Sequence, residues 1–170
     1  NVLAISGSLR QASINSALCR VAARLAQAPL QVSVFTGLGA LPLFNPDLEQ
    51  GPLPPPVEGL RAAVGSADAL IIASPEYAHG ISGVMKNALD WLVSFEGTVY
   101  KPVAIVNTSP RAAHADAAMR EVLQTMSARI VTGASVSLPL LGRCVTEEAM
   151  LASPEVCAAV RGVLSSLLDS

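Results

Sequence analysis

Val2-Leu3-Ala4-Ile5, followed by Gly7-Ser8-Leu9-Arg10-Gln11-Ala12-Ser13-Ile14-Asn15-Ser16, is the stretch that decides the fold. The apolar run has strand length, and Val2–Ser6 reads as a buried strand. Beyond the polar loop, Leu18, Val21, Ala22 and Leu25 recur at i, i+3, i+4 and i+7. That period predicts a helix over Ile14–Ala26 with Ser13 as its N-cap. A strand, a Gly/Ser loop and a helix start together aim backbone N–H groups at an anion. Gly7 permits a close turn, Ser8, Ser13 and Asn15 add short polar groups, and Arg10 adds a planar cation suited to phosphate. No Gly-Lys-Ser/Thr follows, and the three-glycine dinucleotide fingerprint is missing, so ATP hydrolysis and NAD bound in the Rossmann manner are both disfavoured. The loop implies a phosphorylated ligand held in another way.

Outward from this unit, strands and helices alternate. Gln31–Phe35 reads as a second strand, Thr36–Pro56 as a long Gly/Pro-rich loop, and about Val57–Ser66 as a helix led in by Pro54-Pro55-Pro56. Ala69–Ala73 is a continuous apolar strand of the kind found at the centre of a parallel sheet. A helix is predicted over Ser82–Val93, a fourth strand over Val103–Asn107 and a helix over Ala113–Met126. A fifth strand, interrupted near Gly133, is predicted over Arg129–Val136. Ser153-Pro154-Glu155 combines a cap, a first-turn proline and an acid, and starts a helix to about Leu168. The expectation is one α/β domain over residues 1–170: a doubly wound, five-stranded parallel sheet covered on both faces. Ligands of such folds bind outside the carboxyl ends of the strands, which singles out the loops Gly7–Asn15, Ser74–Gly83 and Thr108–Ala112.

Composition narrows the function. The chain has 170 residues, 51% of them hydrophobic and only 14% charged, with mean hydropathy +0.48. No apolar run reaches the roughly 18 residues needed to span a bilayer, so the hydrophobicity is assigned to a core and to subunit contacts, with no membrane partner. A net charge of −2 with no basic cluster argues against nucleic acid. Cys19, Cys144 and Cys157 show no metal-ligand spacing and read as reduced thiols of a cytoplasmic protein. The chain opens on Asn1, immediately before a strand, and residues preceding it are expected.

The loop Ser74-Pro75-Glu76-Tyr77-Ala78-His79-Gly80-Ile81-Ser82-Gly83 leaves the most apolar strand through a stiffening proline. A rigid, irregular loop can present backbone groups to the edge of a planar ring. His79 and His114 have no evident nucleophile or carboxylate partner in the sequence and read as exposed or lining residues. Trp91 reads as core or interface, and Lys86 with Asp90 as a solvated i, i+4 pair. No Ser-His-Asp arrangement or paired loop carboxylates stand out. A phosphate loop, a ring-binding loop and no protein nucleophile point to a cofactor enzyme, and flavin mononucleotide fits both ends.

Gly7-Ser8-Leu9-Arg10 with Ser13 and Asn15, then Pro75-Glu76-Tyr77, then Lys86-Asn87-Ala88-Leu89-Asp90-Trp91-Leu92, resembles the NAD(P)H-dependent FMN reductase family, which includes bacterial quinone, chromate and azo reductases. Leu43-Phe44-Asn45-Pro46-Asp47-Leu48 is similar to it as well. The resemblance covers roughly residues 1–135. It implies a flavodoxin-like sheet of order 2-1-3-4-5, tightly bound FMN, NADPH or NADH as co-substrate, and dimers or tetramers. By position it implies that Ser8, Arg10, Ser13 and Asn15 hold the FMN phosphate. Pro75, Glu76, Tyr77, Ala78, His79 and Gly80 line the isoalloxazine, and Ser109 to Arg111 close the other side. Asn45 and Asp47 border the substrate cleft near a neighbouring subunit. Ala78 stands where the family often has Asn, Ser82-Gly83 where it often has Pro-Gly, and Thr108-Ser109-Pro110-Arg111-Ala112 where glycines are common.

The expected activity is transfer of hydride from NAD(P)H to flavin and then of two electrons to a small acceptor such as a quinone, flavin, azo compound or metal oxyanion, in ping-pong fashion, with no protein residue as covalent catalyst and no metal. A flavodoxin-type electron carrier is the rival reading, although carriers usually steer with a strongly charged face that this composition lacks. A non-catalytic binder of phosphorylated ligands is a third.

Overall fold

The computed structural model describes residues 1–140, 142 and 144–170. Its elements follow the predicted alternation. Strand β1 is Val2–Ser6, helix α1 Ile14–Leu25, β2 Val32–Phe35, α2 Pro55–Ser66 and β3 Ala69–Ala73. A two-stranded hairpin follows, β4 Glu76–Tyr77 and β5 Gly80–Ile81, and then α3 Gly83–Leu92. β6 is Pro102–Asn107, α4 Ala113–Thr125, β7 Arg129–Ile130 and β8 Val136–Ser137. Two helices close the chain, α5 Glu147–Leu151 and α6 Pro154–Leu168.

The main sheet runs β2-β1-β3-β6-β7 with every pair parallel, which is the expected 2-1-3-4-5 order. β1 and β3 are buried at every position because both faces of the sheet are covered. Val2, Ala4, Ala69 and Ile71 pack under α1, α5 and α6. Leu3, Ile5, Leu70 and Ile72 pack under α2, α3 and α4. The period-2 alternation of a strand therefore feeds two separate cores. Among the described residues no helix is long and apolar enough to cross a membrane. Cys19, wholly buried in the first core, has its thiol pKa pushed up to about 12 by burial, with the nearby Arg20 charge opposing.

Three expectations need correction. The fifth strand is not one segment: β7 and β8 each pair in parallel with β6, separated by a 3₁₀ turn at Thr132–Ala134. In the gap the Ser135 hydroxyl accepts a hydrogen bond from Ile105 N–H (3.1 Å), so a side chain fills the missing rung. The long loop carries two 3₁₀ turns, Leu38–Ala40 and Pro46–Glu49, the second capped by Asn45. Finally, the segment after Pro75 is a regular hairpin rather than an irregular loop.

Candidate active site

The three loops at the carboxyl ends of β1, β3 and β6 enclose a cleft of about 360 Å³. The first loop contributes Ser8, Arg10, Ser13 and Asn15, as expected, together with Ala12 and Ile14. The second contributes Pro75, Glu76 and Tyr77, plus Ser74. The third contributes Ser109 and Arg111, plus Thr108. Nine of the proposed site residues thus share one concavity. Ala78, His79 and Gly80 lie past it on the hairpin turn, and Asn45 and Asp47 lie exposed on the long loop; none of the five lines the cleft.

Serines shape the first loop. Ser13 Oγ accepts from Ser16 N–H (3.1 Å) and caps α1. Ser8 Oγ accepts from Arg10 N–H (3.3 Å), and Ser6 and Ser16 hydroxyls pair at 2.8 Å beneath. Gly7 is required by crowding: a Cβ there would fall onto the Ser74 hydroxyl and come within 2.9 Å of Ser74 Cβ and Ser82 Oγ. Ser82 Oγ donates to Gly7 O (2.6 Å), so one residue caps α3 and fastens the first loop to the second. Asn15, buried, accepts from Thr108 Oγ1 (2.9 Å) and fastens the first loop to the third. The N–H groups of Ile14 and Asn15, in the first turn of α1, have no intrahelical acceptor available to them. Arg10 is in none of the ion pairs found among the described residues. Helix-start donors, capping hydroxyls and the Arg10 guanidinium lie together at one end of the cleft, a set of groups whose chemistry suits an oxyanion.

The opposite end is walled by Pro75–Tyr77, which open the hairpin, and by Ser109 and Arg111, which precede α4. Ala78 (φ 49°) and His79 (φ 59°) both adopt the left-handed conformation of a two-residue primed turn. Glu76 reaches from the hairpin to α4, where its Oε2 accepts from Ala115 N–H (2.8 Å). Ala112, the N-cap of α4, offers no side-chain acceptor, so the cap comes from another element. Glu76 Oε1 lies 3.3 Å from His79 Nδ1, and the His79 and His114 rings meet edge to face at 4.6 Å. The bond from Ala115 holds the Glu76 carboxyl below its ordinary pKa, with His114 and His79 adding smaller attractions and desolvation opposing. His79 therefore does have a carboxylate partner, contrary to the sequence reading. Hairpin and helix meet only in the fold, and nothing in the spacing of Glu76 and Ala115 signals it.

The Lys86–Trp91 motif acquires a role that the sequence reading missed. Asn87 Nδ2 and Trp91 Nε1 both donate to Pro42 O (2.9 and 2.8 Å), and Asn87 Oδ1 accepts from Phe44 N–H (2.8 Å). The Phe44 ring stands edge-on to Trp91 at 5.1 Å. Helix α3 thus pins the long loop. Trp91 is fully buried, and Lys86 with Asp90 forms the expected i, i+4 pair at 2.5 Å.

A flavin mononucleotide suits this donor set. The first loop's donors suit a terminal phosphate, and the other walls place Pro75, Tyr77, Ser109 and Arg111 along the cleft where a ring would lie. Among the described residues no cluster of His, Cys, Asp or Glu could hold a metal ion.

A family model for NADPH-dependent FMN reductases matches residues 1–140. An NAD(P)H-dependent FMN reductase of Pseudomonas aeruginosa is 40% identical over 113 residues, covering 64% of this chain and 59% of that protein. An NADPH:quinone oxidoreductase of Arabidopsis thaliana is 42% identical over 113 residues, covering 63% and 57%. The chain spans about half the length of the curated relatives it matches. Among solved structures, the flavoenzyme NAD(P)H:(acceptor) oxidoreductase FerB from Paracoccus denitrificans superposes with a TM-score of 0.81 at 25% identity, covering 99% of this chain and 97% of that one.

Proposed function

This chain belongs to the NADPH-dependent FMN reductase family, and on that premise we propose that it binds FMN in the three-loop cleft and uses NADPH or NADH to reduce a small acceptor such as a quinone. One observation carries the reading: a single cleft has a helix start, capping hydroxyls and Arg10 on its first loop, and Pro75, Tyr77, Ser109 and Arg111 on the other two. FMN supplies the two-electron chemistry when bound. The chain's own residues bind and orient. Arg10, Ser8, Ser13 and the N–H groups opening α1 hold the phosphate dianion, and burial of Asn15 keeps that helix start in register with the third loop. Pro75, Glu76 and Tyr77 form the ring-side wall, with Ser109 and Arg111 on the third loop, and the turn Ala78–Gly80 lies just beyond the cleft. Donor and acceptor share one open mouth, which corresponds to ping-pong kinetics. Asn45, which caps the exposed 3₁₀ turn by accepting from Asp47 N–H, and Asp47 itself are assigned to the acceptor side by the family pattern. The proposal extends to a single domain, self-association as dimers or tetramers, and a cytoplasmic location.

Titration with FMN, followed by quenching of flavin fluorescence, tests the cofactor. NAD(P)H oxidation with a quinone present, giving parallel double-reciprocal lines, tests the reaction. Arg10→Ala should weaken FMN binding by about tenfold to a hundredfold, the worth of a charge-assisted phosphate contact. A protein that takes up no flavin, or that leaves NAD(P)H unoxidised, refutes the assignment.

A further inference from the structure

The geometry points to Glu76 as a positioning residue that sets the width of the cleft at its ring end by latching the β4–β5 hairpin to the first turn of α4. The inference rests on the flavin reading above and adds a part to it. The hairpin carries Tyr77 on one wall of the cleft, and α4 begins directly after Ser109 and Arg111 on the other. These walls are eight residues or fewer from the latch on either side, and two contacts join them there. The Glu76 carboxylate accepts from Ala115 N–H at 2.8 Å, supplying the cap that Ala112 cannot. The His79 ring, 3.3 Å from the same carboxylate through Nδ1, packs edge-on against His114 at 4.6 Å. The charged or titratable groups against Glu76 are His79 on its own hairpin and His114 on α4. Asp116, in the same helix turn, is committed to Arg120 at 2.7 Å.

The third loop is rigid in itself. Ser109 N–H donates to Asn107 Oδ1 (3.0 Å), Asn107 Nδ2 donates to Ala112 O (3.3 Å), and Arg111 N–H donates to Ser109 Oγ (3.3 Å). The hairpin turn places Ala78 and His79 in the left-handed region, at a cost for non-glycine residues. The hairpin packs on α4 along β5, with Ile81 against the core that holds Met119 and Leu123, and the Glu76 bond fixes this approach at the start of the helix. One carboxylate oxygen meets α4 at Ala115 N–H and the other faces His79 of the hairpin, so Glu76 ties the two together there.

The test measures dissociation constants of FMN and riboflavin by fluorescence quenching, and amide exchange at Ala115 by NMR. Glu76→Ala should raise both flavin constants together by about tenfold, the worth of one charge-assisted bond, because the ring end is common to both ligands. Arg10→Ala should raise the FMN constant alone. Glu76→Gln keeps an acceptor at the same reach and should restore binding to within about threefold of wild type. Glu76→Asp, a methylene short, should behave as alanine does, and exchange at Ala115 should speed up in Ala and Asp but not in Gln. Flavin constants within twofold of wild type in Glu76→Ala, or no rescue by Gln, overturn the positioning role. Unchanged Ala115 exchange in Glu76→Ala overturns the latch itself and needs no flavin. A wild-type protein that binds neither flavin while Ala115 exchange responds overturns the flavin reading, and with it the positioning role, but leaves the latch contact standing.

Discussion

Replacing Asn87 by alanine should free the long loop from α3, with a cost that follows from counted bonds. The side chain makes two hydrogen bonds of good length, accepting from Phe44 N–H at 2.8 Å and donating to Pro42 O at 2.9 Å. Each neutral bond is worth about 1 kcal/mol net, so Asn87→Ala should destabilise by about 2 kcal/mol. The loop is not released completely, because Trp91 Nε1 still donates to Pro42 O and Phe44 still packs on the indole. For a chain of this size the loss corresponds to a Tm lower by about 4–8 °C. Asn87→Asp sharpens the test. It keeps the acceptor for Phe44 N–H but sets a carboxylate oxygen against the Pro42 carbonyl. At neutral pH it should cost at least as much as alanine. Part of the loss should return below about pH 4, where an aspartyl group can carry a proton to donate. Urea and thermal unfolding followed by circular dichroism give the energies, and limited proteolysis across residues 43–52 reports the loop. An Asn87→Ala protein within about 0.5 kcal/mol of wild type, with unchanged cleavage, would show that aromatic packing holds the loop and that the bond count is the wrong basis.

Three more outcomes follow from the same structure. Gly7→Ala should cost about 2–3 kcal/mol in urea unfolding and weaken FMN binding, because its Cβ has to displace Ser74 and Ser82, whose hydroxyl fastens the first loop; a neutral effect would mean the loops are looser than the structure has them. Ala78→Asn should stabilise by about 1 kcal/mol in thermal denaturation, since asparagine tolerates the left-handed conformation that alanine resists (φ 49°); a loss of stability would point to a requirement for a small side chain there. Cys19, buried with a pKa raised to about 12, should resist iodoacetamide at pH 8 until the protein unfolds, as mass spectrometry of the modified peptide would report; rapid labelling of the native protein would contradict its burial.

The parallel sheet was readable because its signals are local and repeated. Ala69–Ala73 is apolar at every position, and the five-strand alternation with helices leaves few topologies. The Ser13-capped helix start after β1 was readable for the same reason, as strand, loop, cap and helix start are consecutive. The broken fifth strand was half-legible: Gly133 marked the interruption, but that Ser135 substitutes for a ladder rung depends on β6 lying alongside. The Lys86–Trp91 helix was recognisable as a motif, yet its purpose was not, because the acceptor at Pro42 lies more than forty residues away in sequence.

By itself, then, the sequence determined the strands, the helix faces and the strand–loop–helix unit at one end of the cleft, since hydrophobic period, caps and turn residues act over one or two turns of chain, while the sheet order came from the family resemblance. Only the tertiary structure decided how the three loops are held against one another. Ser82 to Gly7, Asn15 to Thr108 and Glu76 to Ala115 each join separate elements. Such bonds carry no spacing rule, because either partner could satisfy itself with water until the sheet brings the loops together. The stretch from Val2 to Ser16 fixes what one end of the cleft attracts, and the packing of the hairpin on α4 fixes the shape of the other.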